Sequence, residues 1–333
     1  LSESPTPPLQ NLSDLEAALA TAGVDVPSHG AICGKIRTFF RRYTDLERLL
    51  LSEVPLHFPS HLLDSGLPTD PLEAGEVLAD RERERLELGD HEVGGLYDLL
   101  DRQGLKLYRP PFPEGSPVEG LFLFDREAGP AFILDGRLPA TAADHALARL
   151  YGHFLVDNDP YRIRVLVSGR PAAEPAALRA EAFATAFLVS RAGIEDYLKA
   201  LGVRAGAVLE ADTARHLAVY FEVDSRTLTS RLLGLGYLAA DRVEAFLAEL
   251  DENPPPAVSP LEGDAIPERF VRLALEAHAR GAFDLEALAR HLETDLDGAE
   301  ELAGRFVLEP EADAEAESGS EGGAGDASDG EIQ

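Results

Sequence analysis

The sequence predicts an α+β protein that is mostly helical, with a small three-stranded antiparallel sheet and a helix-turn-helix-like C-terminal region. Three observations predict it. Apolar residues recur at helical spacing before residue 103 and again beyond residue 139. Between them the period becomes extended, in short runs separated by Pro/Gly-rich and Asp-Arg-Glu turns. A hydrophobic content of 45% is enough for a real core.

In chain order, residues 1–10 are Pro-rich and loose. Ser13 to Ala22 reads as a short helix opened by a capping box of Ser13 with Glu16. Gly30 to Glu53 carries Ile32, Ile36, Phe39, Phe40, Leu46, Leu49 and Leu50 at helical spacing. Its Arg37, Arg41, Arg42 and Arg48 make it the most basic segment, suited to an acidic partner or, more simply, to pairing with local acids. Pro55 to Pro71 is a loop. Pro71–Leu88 and His91–Gln103 are helices, the second ended by Gly104 at a C′ position. Leu105–Arg109, Glu119–Phe124 and Pro130–Leu134 are the three strands. A helix over 139–157 follows, then a connection from Pro160 to Pro171 and an Ala-rich helix over Pro175–Ser190. Thr213–Phe221 and Ser225–Leu233 form a helix-turn-helix-like pair, continued by Leu238–Leu250. After a Pro-rich linker over Asn253–Pro260, Pro267–Arg280, Leu285–His291 and Leu296–Leu302 form a last helical group.

This divides the chain into a helical arm and linker (1–70), a central domain (71–200), a helical extension (201–252), a C-terminal helical segment (253–308) and an acidic tail (309–333). The tail is Glu/Asp/Gly/Ser/Ala-rich and reads as disordered, because it cannot bury a core.

The net charge is −30. The tail holds nine acids and no Lys or Arg, which leaves 51 acids against 30 bases in the body. Such a surface repels phosphates, so DNA binding is disfavoured. The pair at 213–233 carries Arg215, Arg226 and Arg231, but Glu210, Asp212, Glu222 and Asp224 offset them. No run of about 18 apolar residues is present, so no membrane span is expected. The N-terminus lacks the features of a signal peptide, and the single Cys33 excludes an internal disulfide, so a cytoplasmic location is expected. With no Met anywhere, Leu1 is not an untouched start, and a segment upstream is expected. There is no phosphate-binding Gly-rich loop and no G-x-S-x-G elbow. Cys33 has no neighbouring histidine and reads as a buried thiol. Asp157-Asn158-Asp159 has the start of a calcium loop without the Gly and Glu that complete one.

One stretch stands apart. The helix over 139–157 carries Gly152-His153 in its interior, and glycine there costs about 1 kcal/mol against alanine, so a packing or site reason is expected. Around it stand the lead-in Ala79–Gly89 with LYDLLDRQGLKLYRP, the strand pair Gly120–Pro139, LARLYGHFLV (Leu147–Val156) and AEAFATAFLVS (Ala180–Ser190). Further on come YFEVDSRTLTSRLLGLGYL (Tyr220–Leu238) and Glu268–Leu292. In order and spacing these segments resemble the ImmA/IrrE family of zinc-dependent peptidase domains, over roughly residues 35–305.

The resemblance implies a zincin-like helical core beside the sheet. A zincin needs two histidines one turn apart, a glutamate beside the first, and a third ligand from a later helix. At the matching positions this chain has Arg149, which is cationic, Leu150, which accepts no proton, His153, which is retained, and Ala177 for the third ligand. Glu174 and Glu181 are the acids near that third position, and either offers Arg149 an ion pair in place of the metal. His145 lies two turns from His153, about 12 Å along the helix, too far to share one metal.

The expectation is therefore a catalytically inactive relative with no cofactor, its only remaining zinc candidate being His153. It would act as a regulatory or scaffold subunit by binding another protein. The expected surface is the old substrate groove, lined by the helix around Arg149 and by Leu121, Phe122, Leu123 and Phe124, their strand serving as an edge for strand addition. Two alternatives stand beside it: a zinc metallopeptidase with a displaced ligand set, and a regulator of the XRE/ImmA type lacking its N-terminal DNA-binding domain.

Overall fold

The computed structural model describes residues 14–50, 66–125, 128–157, 163–169, 173–203, 209–252 and 266–306. Strands β1 (Lys106–Tyr108), β2 (Val118–Asp125), β3 (Gly129–Leu134) and β4 (Arg164–Val167) form a four-stranded sheet in the order β1-β3-β2-β4. This corrects the three-stranded antiparallel expectation twice. β1 runs parallel to β3, with Leu107 opposite Phe132. Residues 109–117 separate β1 from β2, so no tight turn forces the two into a hairpin, and β1 joins the far side of β3. The fourth strand lies inside the segment read as a connection, because four residues are too few to display a period.

β2 is therefore central. It pairs with β3 on one side and, from Val118 to Phe122, with β4 on the other. Leu121, Phe122 and Leu123 are fully buried and Phe124 is partly buried. They are core residues on an interior strand, and the reading of this strand as an open edge is overturned.

Each face of the sheet carries a helical layer. Against one pack α3 (Pro71–Arg85), α4 (Leu96–Arg102), α5 (Ala140–Val156) and α6 (Pro175–Leu188), with Phe122, Phe132, Leu147, Leu150, Phe154, Phe183 and Phe187 in the core. The same core extends to α7 (Arg191–Ala200), α8 (Ala211–Tyr220), α9 (Ser225–Gly234) and α10 (Val243–Asp251). The other face is covered by α1 (Leu15–Thr21), α2 (Val26–Leu50), α11 (Glu268–Ala279), α12 (Leu285–Leu292) and α13 (Leu296–Arg305). Phe39 stacks on Tyr108 at 3.9 Å and lies 4.7 Å from Phe270, which joins N-terminal helix, sheet and C-terminal helix. The alternation of β2 fits this arrangement: Leu121 and Leu123 belong to the second core, Phe122 to the first.

Glycines set the closest helix contacts. A Cβ on Gly152 of α5 would lie 2.8 Å from Phe183 Cδ1 of α6. A Cβ on Gly75 of α3 would lie 2.5 Å from the Arg179 carbonyl and 2.7 Å from Ala182 Cβ. α6 is thus wedged between two helices that each give it a glycine, which is the packing reason for Gly152.

Local signals mostly place the helices where the pattern did. Asp70 caps α3 by accepting from the N–H groups of Leu72 and Glu73, and Pro71 stands at its first turn. α7 escaped the sequence reading, although Ser190 caps it by accepting from Gly193 N–H at 3.0 Å. The helix expected from His91 begins only at Leu96, after the left-handed Gly95. The proposed partner Ser13 of a capping box lies outside the described residues, and Glu16 pairs with Arg37 instead. The 253–260 linker and the tail also lie outside them. Among the described residues no helix is long and apolar enough to cross a membrane.

Candidate functional site

Positions 145, 149 and 153 succeed one another by single turns along α5, away from the face that buries Leu147, Leu150 and Tyr151. Arg149 Nε lies 2.9 Å from Glu181 Oε2 of α6, an ion pair whose angle is too bent to count as a hydrogen bond. A terminal nitrogen of the same guanidinium lies 3.6 Å from Glu119 Oε2. Glu119 reaches this spot because the β2–β4 register slips between Val118 and Gly120, leaving it as the extra residue of a bulge. His145 Nε2 lies 3.1 Å from Glu181 Oε1, so one carboxylate meets both side chains. Burial alone would raise the Glu181 pKa, but the His145 hydrogen bond and the charges of His145 and Arg149 hold it below the usual range.

One turn further on, His153 is buried and its Nδ1 donates to Asp157 Oδ2 at 2.8 Å. Asp157 also accepts from Arg179 of α6, and Arg164 of β4 stands 3.9 Å away. Burial lowers the His153 pKa and Arg164 and Arg149 push the same way, outweighing the pull of Asp157. His153 is therefore neutral at neutral pH, with its proton on Nδ1. Burial works to raise Asp157, yet the His153 hydrogen bond and the charges of Arg179 and Arg164 leave it lowered.

Of the positions singled out in the sequence, the structure brings Arg149, His153 and Glu181 together. Glu174 is instead the exposed residue before α6, and Ala177 lies one turn ahead of Glu181 with no donor atom. Leu150 is fully buried, and a Cβ on Gly120 would lie 3.1 Å from its Cδ1. Leu150, where the resemblance would put a general base, thus faces the sheet.

The residues present do not fit a catalytic zinc. Where the ImmA/IrrE resemblance would put the first ligand, Arg149 presents a guanidinium, which cannot lose its proton. The two carboxylates nearest it are engaged with it, and His153 is bound to Asp157. Among the described residues no group of three His, Cys, Asp or Glu side chains could hold a metal ion.

Sequence reasoning missed Arg164 and Arg179 as members of this cluster and did not single out Glu119 or Asp157 for it. Asp157 was visible, since it follows His153 by four residues on the same helical face. The bulge that delivers Glu119 and the strand that delivers Arg164 carried no comparable signal. A second buried network also escaped notice: Glu82 is completely buried and accepts from Arg85 Nε at 3.0 Å and from the hydroxyl of Tyr151.

The other candidate surfaces are largely occupied. In the α8–α9 pair, Arg231 is buried against the Val189 carbonyl and Glu76, and Arg215 pairs with Asp212, leaving Arg226 exposed. On α2, Arg37 forms a two-pronged bond with Glu16, and Arg42 donates to the Arg290 carbonyl at 2.8 Å. Cys33 is buried and its thiol is pushed up to about 11 by desolvation and by Glu16, so it is not a ready nucleophile. A cleft of about 600 Å³ between α3 and α7 is lined by Asp80, Glu84, Glu87, Asp90 and Glu195 with Arg83 and Arg191, and shares no residue with the Arg149 cluster. No family model, curated protein or solved structure matches this chain.

Proposed function

We propose that the chain is a catalytically inactive ImmA/IrrE-like protein that serves as a regulatory or scaffold subunit by binding another protein. The observation that carries this reading is the state of the site: Arg149 is locked between Glu181 and Glu119, and Leu150 is built into the core. A guanidinium held by two carboxylates ties α5, α6 and β2 by charge at the position where a zincin would use a metal. The fold around such a site is kept while the means of activating water are missing, which favours a surface over a reaction.

The surface this reading puts to use is the rim of the cluster and not the Leu121–Phe124 stretch of β2. Glu119, His145 and Glu181 are 26%, 19% and 34% exposed at their side chains, enough to meet a partner while staying in place. A rim of two acids, a histidine and a guanidinium suits a partner with hydrogen-bonding and mixed-charge side chains.

A pull-down from native lysate tests it. The wild-type chain is expected to enrich a defined protein, and Glu181→Lys, checked by its melting curve to be folded, to lose most of it. No enrichment over a tag-only control would sink the reading; equal enrichment by the variant would move the surface elsewhere.

A further inference from the structure

The turn between α11 and α12 is closed by two histidines and a phenylalanine. His278, in the last turn of α11, donates from Nδ1 to the Phe283 carbonyl at 2.9 Å. The Phe283 ring lies flat on the imidazole of His291 in α12, with centroids 4.7 Å apart and planes 5° from parallel. Phe270 of α11 lies 6.5 Å from the same imidazole, so rings from the helix and from the turn both stack on His291. His291 Nδ1 donates to the Ala287 carbonyl one turn back at 2.7 Å. A further proton would therefore go to Nε2 and leave these hydrogen bonds in place.

What that proton changes is charge. Arg42 and Asp45 act on His291 from α2, and Arg290 does so from α12 itself; α11 contributes the Phe270 ring, and its His278 meets Phe283. Arg42 is fixed at this spot, since it donates to the Arg290 carbonyl at 2.8 Å. Asp45 is exposed, so water damps its pull, and among the described residues no carboxylate forms an ion pair with His291. Burial lowers the His291 pKa; the Ala287 carbonyl and Asp45 oppose this, and Arg42 and Arg290 add to it. The ring faces attract an imidazolium, which works the other way. With the folded pKa below the unfolded one, stability from this group is full above about pH 6.5 and is lost as the pH falls.

We propose that His291 is an acid-sensitive clasp, whose protonation in mild acid loosens α12 from α11 and α2 while α11 stays in place. Loosening uncovers the buried Leu288 and Leu292 of α12. α11 stays because its first turn is held at the other end, by Asp101 on the Arg269 N–H at 2.8 Å and by Glu47 on the Arg269 side chain at 2.7 Å. At the end of α12, Glu293 pairs with Lys35 at 2.6 Å and accepts from the Tyr108 hydroxyl at 3.1 Å, contacts that a change at His291 leaves intact. The clasp does not depend on how the Arg149 cluster is read.

Hydrogen exchange of the full chain tests it, read by mass spectrometry from about pH 7.5 to about pH 5.5 and corrected for the intrinsic rate at each pH. The opening constant of the α12 amides should rise by up to about tenfold over that range, the limit set by an unfolded-state pKa of about 6.5. The α11 amides should change by less than about twofold, because their opening is not linked to this proton. His291→Gln should remove most of the rise in α12, and His278→Gln should keep it. If His291→Gln does not fold, an NMR titration of the wild-type imidazole decides: its midpoint is expected below that of the unfolded chain, and a midpoint at or above it would overturn the clasp. So would α12 amides indifferent to pH, an equal rise in α11, a rise undiminished in His291→Gln, or one abolished by His278→Gln.

Discussion

Gly152 has no room for a methyl group, because Phe183 of the neighbouring helix occupies the place where one would go. The glycine is unfavourable for α5 taken alone and favourable for the α5–α6 contact, and the contact is the larger effect. Gly152→Ala should destabilise by about 1–3 kcal/mol through overpacking, although alanine improves helix propensity by about 1 kcal/mol. The midpoint of urea unfolding reads this directly; an unchanged or higher midpoint would mean that Phe183 moves aside freely. The anomaly was legible as a glycine inside an apolar helix. What occupied the space was not, since Phe183 is distant in sequence. The same holds for Arg149. Its failure as a metal ligand follows from its chemistry alone, whereas the choice of Glu181 over Glu174 depends on where α6 begins, with Glu174 left just outside the helix.

At the scale of elements, Asp101 of α4 shows how the N- and C-terminal parts of the chain are joined. Its Oδ2 accepts from the Arg269 N–H at 2.8 Å, in the first turn of α11, so one helix caps another. Arg269 in turn pairs with Glu47 of α2 at 2.7 Å, and Lys106 of β1 reaches the same Glu47 at 2.6 Å. Asp101 is buried and desolvation raises its pKa to about 6, only partly offset by the Arg269 amide and charge. The folded chain therefore holds this proton more tightly than the unfolded chain does. Stability from this group is greatest below about pH 4, falls as the pH rises to about 6 and then levels, by about 2–3 kcal/mol at most. Asp101→Asn keeps an acceptor for the Arg269 N–H and should remove that part of the slope. Unfolding free energies measured across this range check it; identical slopes in both proteins would contradict it. None of this was legible, because a buried acid and an exposed one look alike in a sequence so rich in acids. α3, capped by Asp70, and α5, with its long apolar face, were legible; the four-residue β4 and the parallel pairing of β1 were not.

The described residues form a mixed sheet with helical layers on both faces, and α1, α2, α11, α12 and α13 share one of them. The sequence suggested an N-terminal arm and a separate C-terminal segment, since each has its own helical pattern and a Pro-rich stretch intervenes. Nothing local says that both cover the same face of the sheet. On the reading proposed above, the ion pairs of Arg149 with Glu181 and Glu119 stand where an ImmA/IrrE-like peptidase would hold zinc. The most direct test of that reading is the zinc content of protein purified without chelator and then exposed to zinc, read by elemental analysis and native mass spectrometry. No stoichiometric zinc is expected, and no change in metal content on His153→Ala. One zinc per chain, lost on His153→Ala, would contradict it.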